Sequence, residues 1–170
     1  MEIEIKARIE RQEDVVQKLR SLGAKYIKTE KQEDVYFNHP SRDFSTTDEA
    51  LRIRSAGGIF SLTYKGPKID KITKTREEYE TEVSDIDETE KILEKLGFKK
   101  AGSVVKTRVC YRLGVFSVML DSVEGLGDFV EIEKESGFYK EEELIKLLAK
   151  LGIDERAVER RSYLELLKSR

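Results

Sequence analysis

Alternation limits the folds open to this chain more than any other feature. Between Met1 and Arg8, Ile3 and Ile5 alternate with Glu2, Glu4 and Lys6, the period-two signature of a β-strand. In an extended chain those three charged residues form one row, roughly 6 to 7 Å apart. The pattern returns in Arg52 and Arg54, in Arg76, Glu78, Glu80 and Glu82, in Lys106, Arg108 and Arg112, and in Glu131 and Glu133. Lys65 and Asp121 sit at the same parity in two further strands. Ile3, Ile5, Leu51 and Ile53 hold the opposite parity, so the sheet has one apolar face and one charged face.

Helices must cover the apolar face. Gln12 to Leu22 reads as an amphipathic helix through Val15, Val16, Leu19 and Leu22, with Gly23 as its stop. Strands follow at Lys25–Phe37, Ala50–Arg54 and Ile59–Lys65, the last two joined as a hairpin by Gly57 and Gly58. Asn38 to Asp43 is a turn-rich loop, and the basic segment Lys68 to Thr75 reads as a mobile one. A strand at Arg76–Val83 leads to a helix that starts at Asp87, with Glu90 completing a capping box and Ile92, Leu93 and Leu96 as its apolar side. Strands at Val104–Leu113, Val115–Val123 and Phe129–Glu133 precede a helix at Lys140–Leu151 and a short one at about Ser162–Lys168. The order of strand, helix ending in Leu-Gly, and further strands occurs twice, with stops at Leu22-Gly23 and Leu96-Gly97. This predicts an internal pseudo-twofold inside one domain spanning 1–170.

Composition narrows the function. Charged residues make up 39% of the 170 residues while the net charge is only −2, which argues against a simple nucleic-acid binder. No apolar run approaches the roughly 18 residues of a membrane span. A single cysteine, Cys110, excludes an internal disulfide and makes a reducing cytoplasm the expected location. With one His and one Cys, a bound metal has to be held by carboxylates, which favours Mg²⁺, Mn²⁺ or Ca²⁺. His39 reads as structural and Cys110 as a small buried residue.

Two structures satisfy the alternation: an open antiparallel sheet with its charges in water, or a barrel with a charged lumen. Solvent-facing strands usually mix in Thr, Ser and Gln, whereas Arg and Glu dominate here and segregate by strand. That segregation suits a polyanionic, metal-bound ligand, but the pattern alone leaves both structures open.

Glu2, Glu4 and Lys6 resemble the Glu-x-Glu-x-Lys signature of the CYTH, or triphosphate tunnel metalloenzyme, superfamily. The resemblance runs along the whole chain. The segments Gln32–Phe44 and Asp48–Arg54 look like the class IV adenylate cyclase branch in particular. Tyr64–Pro67, Thr75–Glu80, the Lys106/Arg108 pair, Leu126–Glu133 and Arg161–Tyr163 follow in the family's order. The resemblance implies an α+β fold: a closed eight-stranded antiparallel barrel with helices packed outside.

It also implies roles for single residues. Glu2, Glu4, Glu131 and Glu133, with Asp121 and Glu80, would hold Mg²⁺ or Mn²⁺. Lys6, Arg52, Arg54, Lys65, Lys106 and Arg108, with Arg161 reaching in from the C-terminal helix, would bind a triphosphate. Glu2, Glu4 and Lys6 would be the catalytic core. The implied activity is an adenylate cyclase that converts ATP to 3′,5′-cyclic AMP and pyrophosphate. A triphosphatase acting on thiamine, nucleoside or inorganic triphosphate is the alternative, and a non-catalytic nucleotide- or polyphosphate-binding module a third. The expected partner is ATP or another small triphosphate, with no nucleic acid or membrane and with a homodimer left open.

Overall fold

A computed structural model describes residues 3–69, 75–134 and 140–170. Glu2 and most of the basic loop at 70–74 lie outside the described residues. The elements in chain order are β1 (Glu4–Arg8), α1 (Gln12–Ser21), β2 (Lys25–Asn38), α2 (Phe44–Thr47), β3 (Ala50–Ala56), β4 (Ile59–Lys65) and β5 (Glu78–Val83). Then come α3 (Ile86–Lys95), β6 (Lys99–Leu113), β7 (Phe116–Val123), β8 (Gly127–Lys134), α4 (Glu141–Lys150) and α5 (Tyr163–Lys168).

All eight strands join one antiparallel sheet in the order β1-β8-β7-β6-β2-β3-β4-β5. Exchanging the first four strands for the last four, in chain order, reverses this list onto itself, which is the topology a pseudo-twofold produces. The long β2–β6 ladder lies at the centre, and each half donates its first strand to the edge of the other.

The expected closed barrel is not what the backbone ladders make. Among the described residues no ladder joins β5 to β1. A different segment takes the free edge of β1: Val158 bridges Ala7, and the Glu159 amide donates to the Lys6 carbonyl at 2.8 Å. Nevertheless Glu4 and Lys6 of β1 and Glu78 and Glu80 of β5 line the same cavity, so the sheet curls until both edges face it.

On the outer face α1 and α4 bury Val15, Leu19, Leu144 and Leu148 against Ile5, Val118, Leu120 and Ile132. A smaller outer cluster sets Leu93 of α3 and Phe44 of α2 on Phe37, Leu51 and Ile53. Only Leu93 of the expected α3 face is buried, while Ile92 and Leu96 are 58% and 64% exposed. The helix also begins earlier than the Asp87/Glu90 pattern suggests, because the Asp85 carboxylate accepts from the Glu88 amide.

The last helix departs from the expected plan. α5 does not lie outside the sheet: Tyr163 and Leu166 pack on Val104, Val123 and Phe129, which share strand parity with the charged interior residues Lys106, Asp121 and Glu131. A Cβ on Gly102 would sit 2.6 Å from Leu164 Cδ1, so the absent side chain is what lets α5 seat against β6. Ser162 and Glu165 form the capping box that starts α5.

Candidate functional site

The cavity on the inner face has a volume of about 660 Å³. Its strand-borne walls carry Lys6, Arg52, Arg54, Lys65, Lys106 and Arg108, with Arg76 just before β5. The carboxylates on the same walls are Glu4, Glu78, Glu80, Glu131 and Glu133. Alternation explains the convergence: each residue occupies the inward parity of its strand, and the sheet's curvature turns one row per strand toward a common centre.

Two buried aspartates hold the cations in place. Asp34 on β2 accepts the Arg54 fork at 2.7 and 2.8 Å, with Arg52 Nη1 at 3.9 Å. Burial acts to raise the Asp34 carboxyl, but the Arg54 hydrogen bonds and the Arg54 and Arg52 charges prevail and keep it below the usual carboxylate range. Asp121 on β7 is fully buried, accepts the Arg108 fork at 2.7 Å through both oxygens, and also takes Lys106 Nζ at 3.0 Å and the Tyr163 hydroxyl at 2.8 Å. Burial again opposes ionisation, and the Arg108 and Lys106 charges again overcome it. Arg108 further bonds Glu131.

Lys106 responds in the opposite sense. Burial and the neighbouring Arg108 charge push its ammonium down to about 8, against the pull of Glu131 and Asp121. The Tyr163 ring lies 4.1 Å from Lys6 Nζ and 4.8 Å from Lys106 Nζ, and its hydroxyl is raised by burial and by the Glu131 and Asp121 charges. The buried Nε atoms of Arg52 and Arg76 have no hydrogen-bond partner among the described residues.

On the β1–β8 wall Glu4 stands directly opposite Glu133, and Lys6 opposite Glu131. Two carboxylates facing each other across a ladder are destabilising unless a cation lies between or beside them. These are the hard oxygen donors that Mg²⁺ or Mn²⁺ takes. No group of three or more acidic, His or Cys side chains converges as a metal cage among the described residues, so any metal held here would draw its other ligands from elsewhere.

Of the residues expected in the site, ten line the cavity: Glu4, Lys6, Arg52, Arg54, Lys65, Glu80, Lys106, Arg108, Glu131 and Glu133. Three do not. Glu2 lies outside the described residues. Asp121 stands behind the wall with its oxygens occupied by Arg108, Lys106 and Tyr163. Arg161 does not reach in: its guanidinium forks onto Glu159 and is 56% exposed, and its backbone carbonyl accepts from Lys6. Arg76, Tyr163 and Lys168 join the cavity instead. Arg76 was visible through its parity with Glu78 and Glu80. Tyr163 stood only within the Arg161–Tyr163 segment of the resemblance and Lys168 carried no signal, because a six-residue helix with four apolar positions does not announce which sheet face it covers.

His39 is held structurally, its ring against Phe44 and Phe98 and its Nδ1 accepting from the Ser41 amide. Cys110 is half-buried and its thiol is pushed up by burial. No helix among the described residues is long and apolar enough to cross a membrane.

Comparison with known proteins places this arrangement. The CYTH domain matches residues 1–163, and the chain belongs to that family. The candidate adenylate cyclase MJ0240 of Methanocaldococcus jannaschii is 47% identical over 98% of both chains. The adenylate cyclase CyaB of Aeromonas hydrophila is 29% identical over 95% of this chain and 86% of its own. Among solved structures, PH1819 of Pyrococcus horikoshii superposes with a TM-score of 0.89 at 44% identity, covering 99% of each chain. A more distant fold neighbour, HpAC1 of Hippeastrum, is a candidate adenylyl cyclase with dominant triphosphatase activity; it is 24% identical with a TM-score of 0.72, over 99% of this chain and 96% of its own.

Proposed function

We propose that this chain is a divalent-metal-dependent enzyme that binds a triphosphate in its inner cavity and converts ATP to 3′,5′-cyclic AMP and pyrophosphate. The observation that carries the reading is the convergence of seven cationic side chains on one cavity, two of them backed by Asp34 and two by Asp121. Five wall carboxylates and the two aspartates balance these charges, yet the buried Nε donors of Arg52 and Arg76 leave hydrogen bonds for the phosphate oxygens of a polyanion to complete. Arg52 would grip oxygens through its planar fork, Arg54 and Arg108 through the Nη1 donors that the aspartates leave, and Lys6, Lys65 and Lys106 would act as point charges.

Glu4 and Glu133, joined by Glu2, would hold Mg²⁺ or Mn²⁺, with phosphate oxygens of the substrate completing the ligand set, while Glu131 is taken up by Arg108 and Glu80 by Thr63. A bound ion of this kind supplies charge neutralisation and polarises an attacking oxygen. Asp121 we reassign from ligand to anchor, since its acceptor capacity goes to Arg108, Lys106 and Tyr163. The cavity walls would fix the triphosphate in line, because phosphoryl transfer gains mainly from positioning and electrostatics. In cyclisation the ribose O3′ bonds to the α-phosphorus, the bond to the bridging oxygen breaks, pyrophosphate leaves with that electron pair, and the hydroxyl proton passes to water. Curvature that brings both edge strands to one cavity supports a tunnel closed by side chains rather than by a backbone ladder.

Cyclisation is favoured over hydrolysis by the names of the two sequence relatives that match nearly the full chain. The same walls would serve hydrolysis at the terminal phosphorus, and HpAC1 has a dominant triphosphatase activity. Incubation with ATP and Mg²⁺ or Mn²⁺, with products resolved by chromatography, tests the assignment. Cyclic AMP with pyrophosphate is the expected outcome. Orthophosphate would replace the cyclase with a triphosphatase, and unchanged ATP would remove the enzyme.

A further inference from the structure

Two of the cavity's cations are held by a residue that belongs to neither of their strands. Lys6 lies on β1 and Lys106 on β6, and β8 and β7 separate these strands in the sheet, so no ladder contact ties one side chain to the other. Both residues are buried, at 1% and 3% exposed. Tyr163, the first residue of α5, meets both: its ring centroid is 4.1 Å from Lys6 Nζ and 4.8 Å from Lys106 Nζ. Its hydroxyl donates at 2.8 Å to Asp121 on β7, which also takes Lys106.

The ring is itself fixed. Phe129 meets it edge to face, with centroids 5.0 Å apart, and the Asp121 bond sets the direction of its far end. The stretch that leads into α5 fixes Lys6 at both of its ends. The Glu159 amide donates to the Lys6 carbonyl, and Lys6 Nζ donates to the Arg161 carbonyl. A tyrosine here could simply fill the apolar end made by Val104, Val123 and Phe129. A leucine would fill it as well, without a π face shared by two buried ammoniums or a hydroxyl on the carboxylate that anchors one of them.

Lysine carries a compact charge on a flexible stem, so what a bound anion gains from it depends on how firmly the ammonium is held. Like charges repel strongly when buried, whereas the negative face of an aromatic ring attracts both. Resting on the triphosphate reading above, we propose that Tyr163 is a positioning residue for that site, acting through Lys6 and Lys106 to hold both ammoniums where the phosphate chain meets them. The ring carries the role, and the hydroxyl aims the ring.

Calorimetric titration of the metal-free protein with inorganic tripolyphosphate tests this, with thermal melts to confirm that each variant is folded. Tyr163→Leu is expected to weaken binding at least about tenfold, and Tyr163→Phe, which keeps the ring, by less than about threefold. Lys6→Met supplies the readout that a merely structural role would not move. In that background Tyr163→Leu should cost only about threefold, because Lys106 alone is left for the ring to hold. Should Tyr163→Leu not fold, Tyr163→Met takes its place in the same comparison. Equal factors in the two backgrounds, a loss in Tyr163→Phe as large as in Tyr163→Leu, or unchanged affinity in Tyr163→Leu would overturn the positioning role while leaving the triphosphate site intact. If the wild-type protein does not bind tripolyphosphate, the triphosphate reading falls and the positioning role with it.

Discussion

In the half of the sheet made by β2 to β5, a buried aspartate stands behind an arginine pair, and the front carries Lys65 and Arg76 beside Glu78 and Glu80. In the half made by β6, β7, β8 and β1, a buried aspartate again stands behind two cations, but Glu4, Glu131 and Glu133 occupy the front. One backbone plan thus yields a wall suited to phosphate and a wall suited to a hard cation. The outer faces differ too. α1 and α4 cover the second half, while α3 covers the first with one fully packed residue, Leu93. Duplication supplies the frame; the front residues of β4 and β8 decide what each wall can hold.

The largest effect should come from the anchor of the second half. Asp121→Ala removes the shared acceptor of Arg108, Lys106 and Tyr163, and breaking a buried pair costs about 3–5 kcal/mol. Chemical denaturation measures this, and a loss below about 1 kcal/mol would show that the anchor is dispensable. The outer faces should diverge next. Leu148→Ala on α4 should cost about 2–5 kcal/mol. Ile92→Ala on α3, at an exposed site, should stay within about 0.5 kcal/mol. Comparable losses would mean that the first half is better covered than its exposure indicates.

Function should divide along the same line. Glu4→Gln with Glu133→Gln should reduce divalent-dependent turnover by more than the roughly 100-fold that losing an outer partner of a metal ligand costs. Tripolyphosphate binding without metal should survive in that variant. Arg52→Ala should do the reverse, weakening triphosphate by about 2 kcal/mol, or roughly 30-fold, and monophosphate less. Equal losses on both ligands would remove Arg52 from the phosphate wall.

The smallest effect concerns pH. Lys106 is held down to about 8, well below its usual value, so it is charged below that pH and progressively neutral above it. Metal-free tripolyphosphate binding should therefore weaken as pH rises through about 8. Lys106→Arg, whose guanidinium keeps its charge there, should abolish that step. A pH-independent wild-type affinity between 7 and 9 would contradict the assignment.

Much of this was legible in the sequence because strand parity is strict. One residue in two faces the interior, so the charged row of each strand could be read without knowing its neighbours. The strand order was not legible, since alternation says nothing about which edge meets which. Nor was the interception of β1 by Val158 and Glu159, which lie in a polar stretch without strand periodicity. The place of α5 escaped for a related reason. The apolar Val104, Val123 and Phe129 occupy interior parity where the charged rows stop, and only the fold shows that a helix fills that end. Arg161 was expected inside from the family resemblance alone, and the resemblance carried no sign that the neighbouring Glu159 claims its guanidinium.

The central claim is that one cavity holds a triphosphate on its cationic wall and a divalent ion on its acidic one. Crystals soaked with tripolyphosphate and Mn²⁺, with anomalous scattering to locate the metal, test it most directly. The account predicts phosphate oxygens on Arg52, Lys65 and Arg108, and Mn²⁺ on Glu4 and Glu133. Triphosphate bound outside the cavity, or Mn²⁺ bound away from the β1–β8 wall, would contradict it.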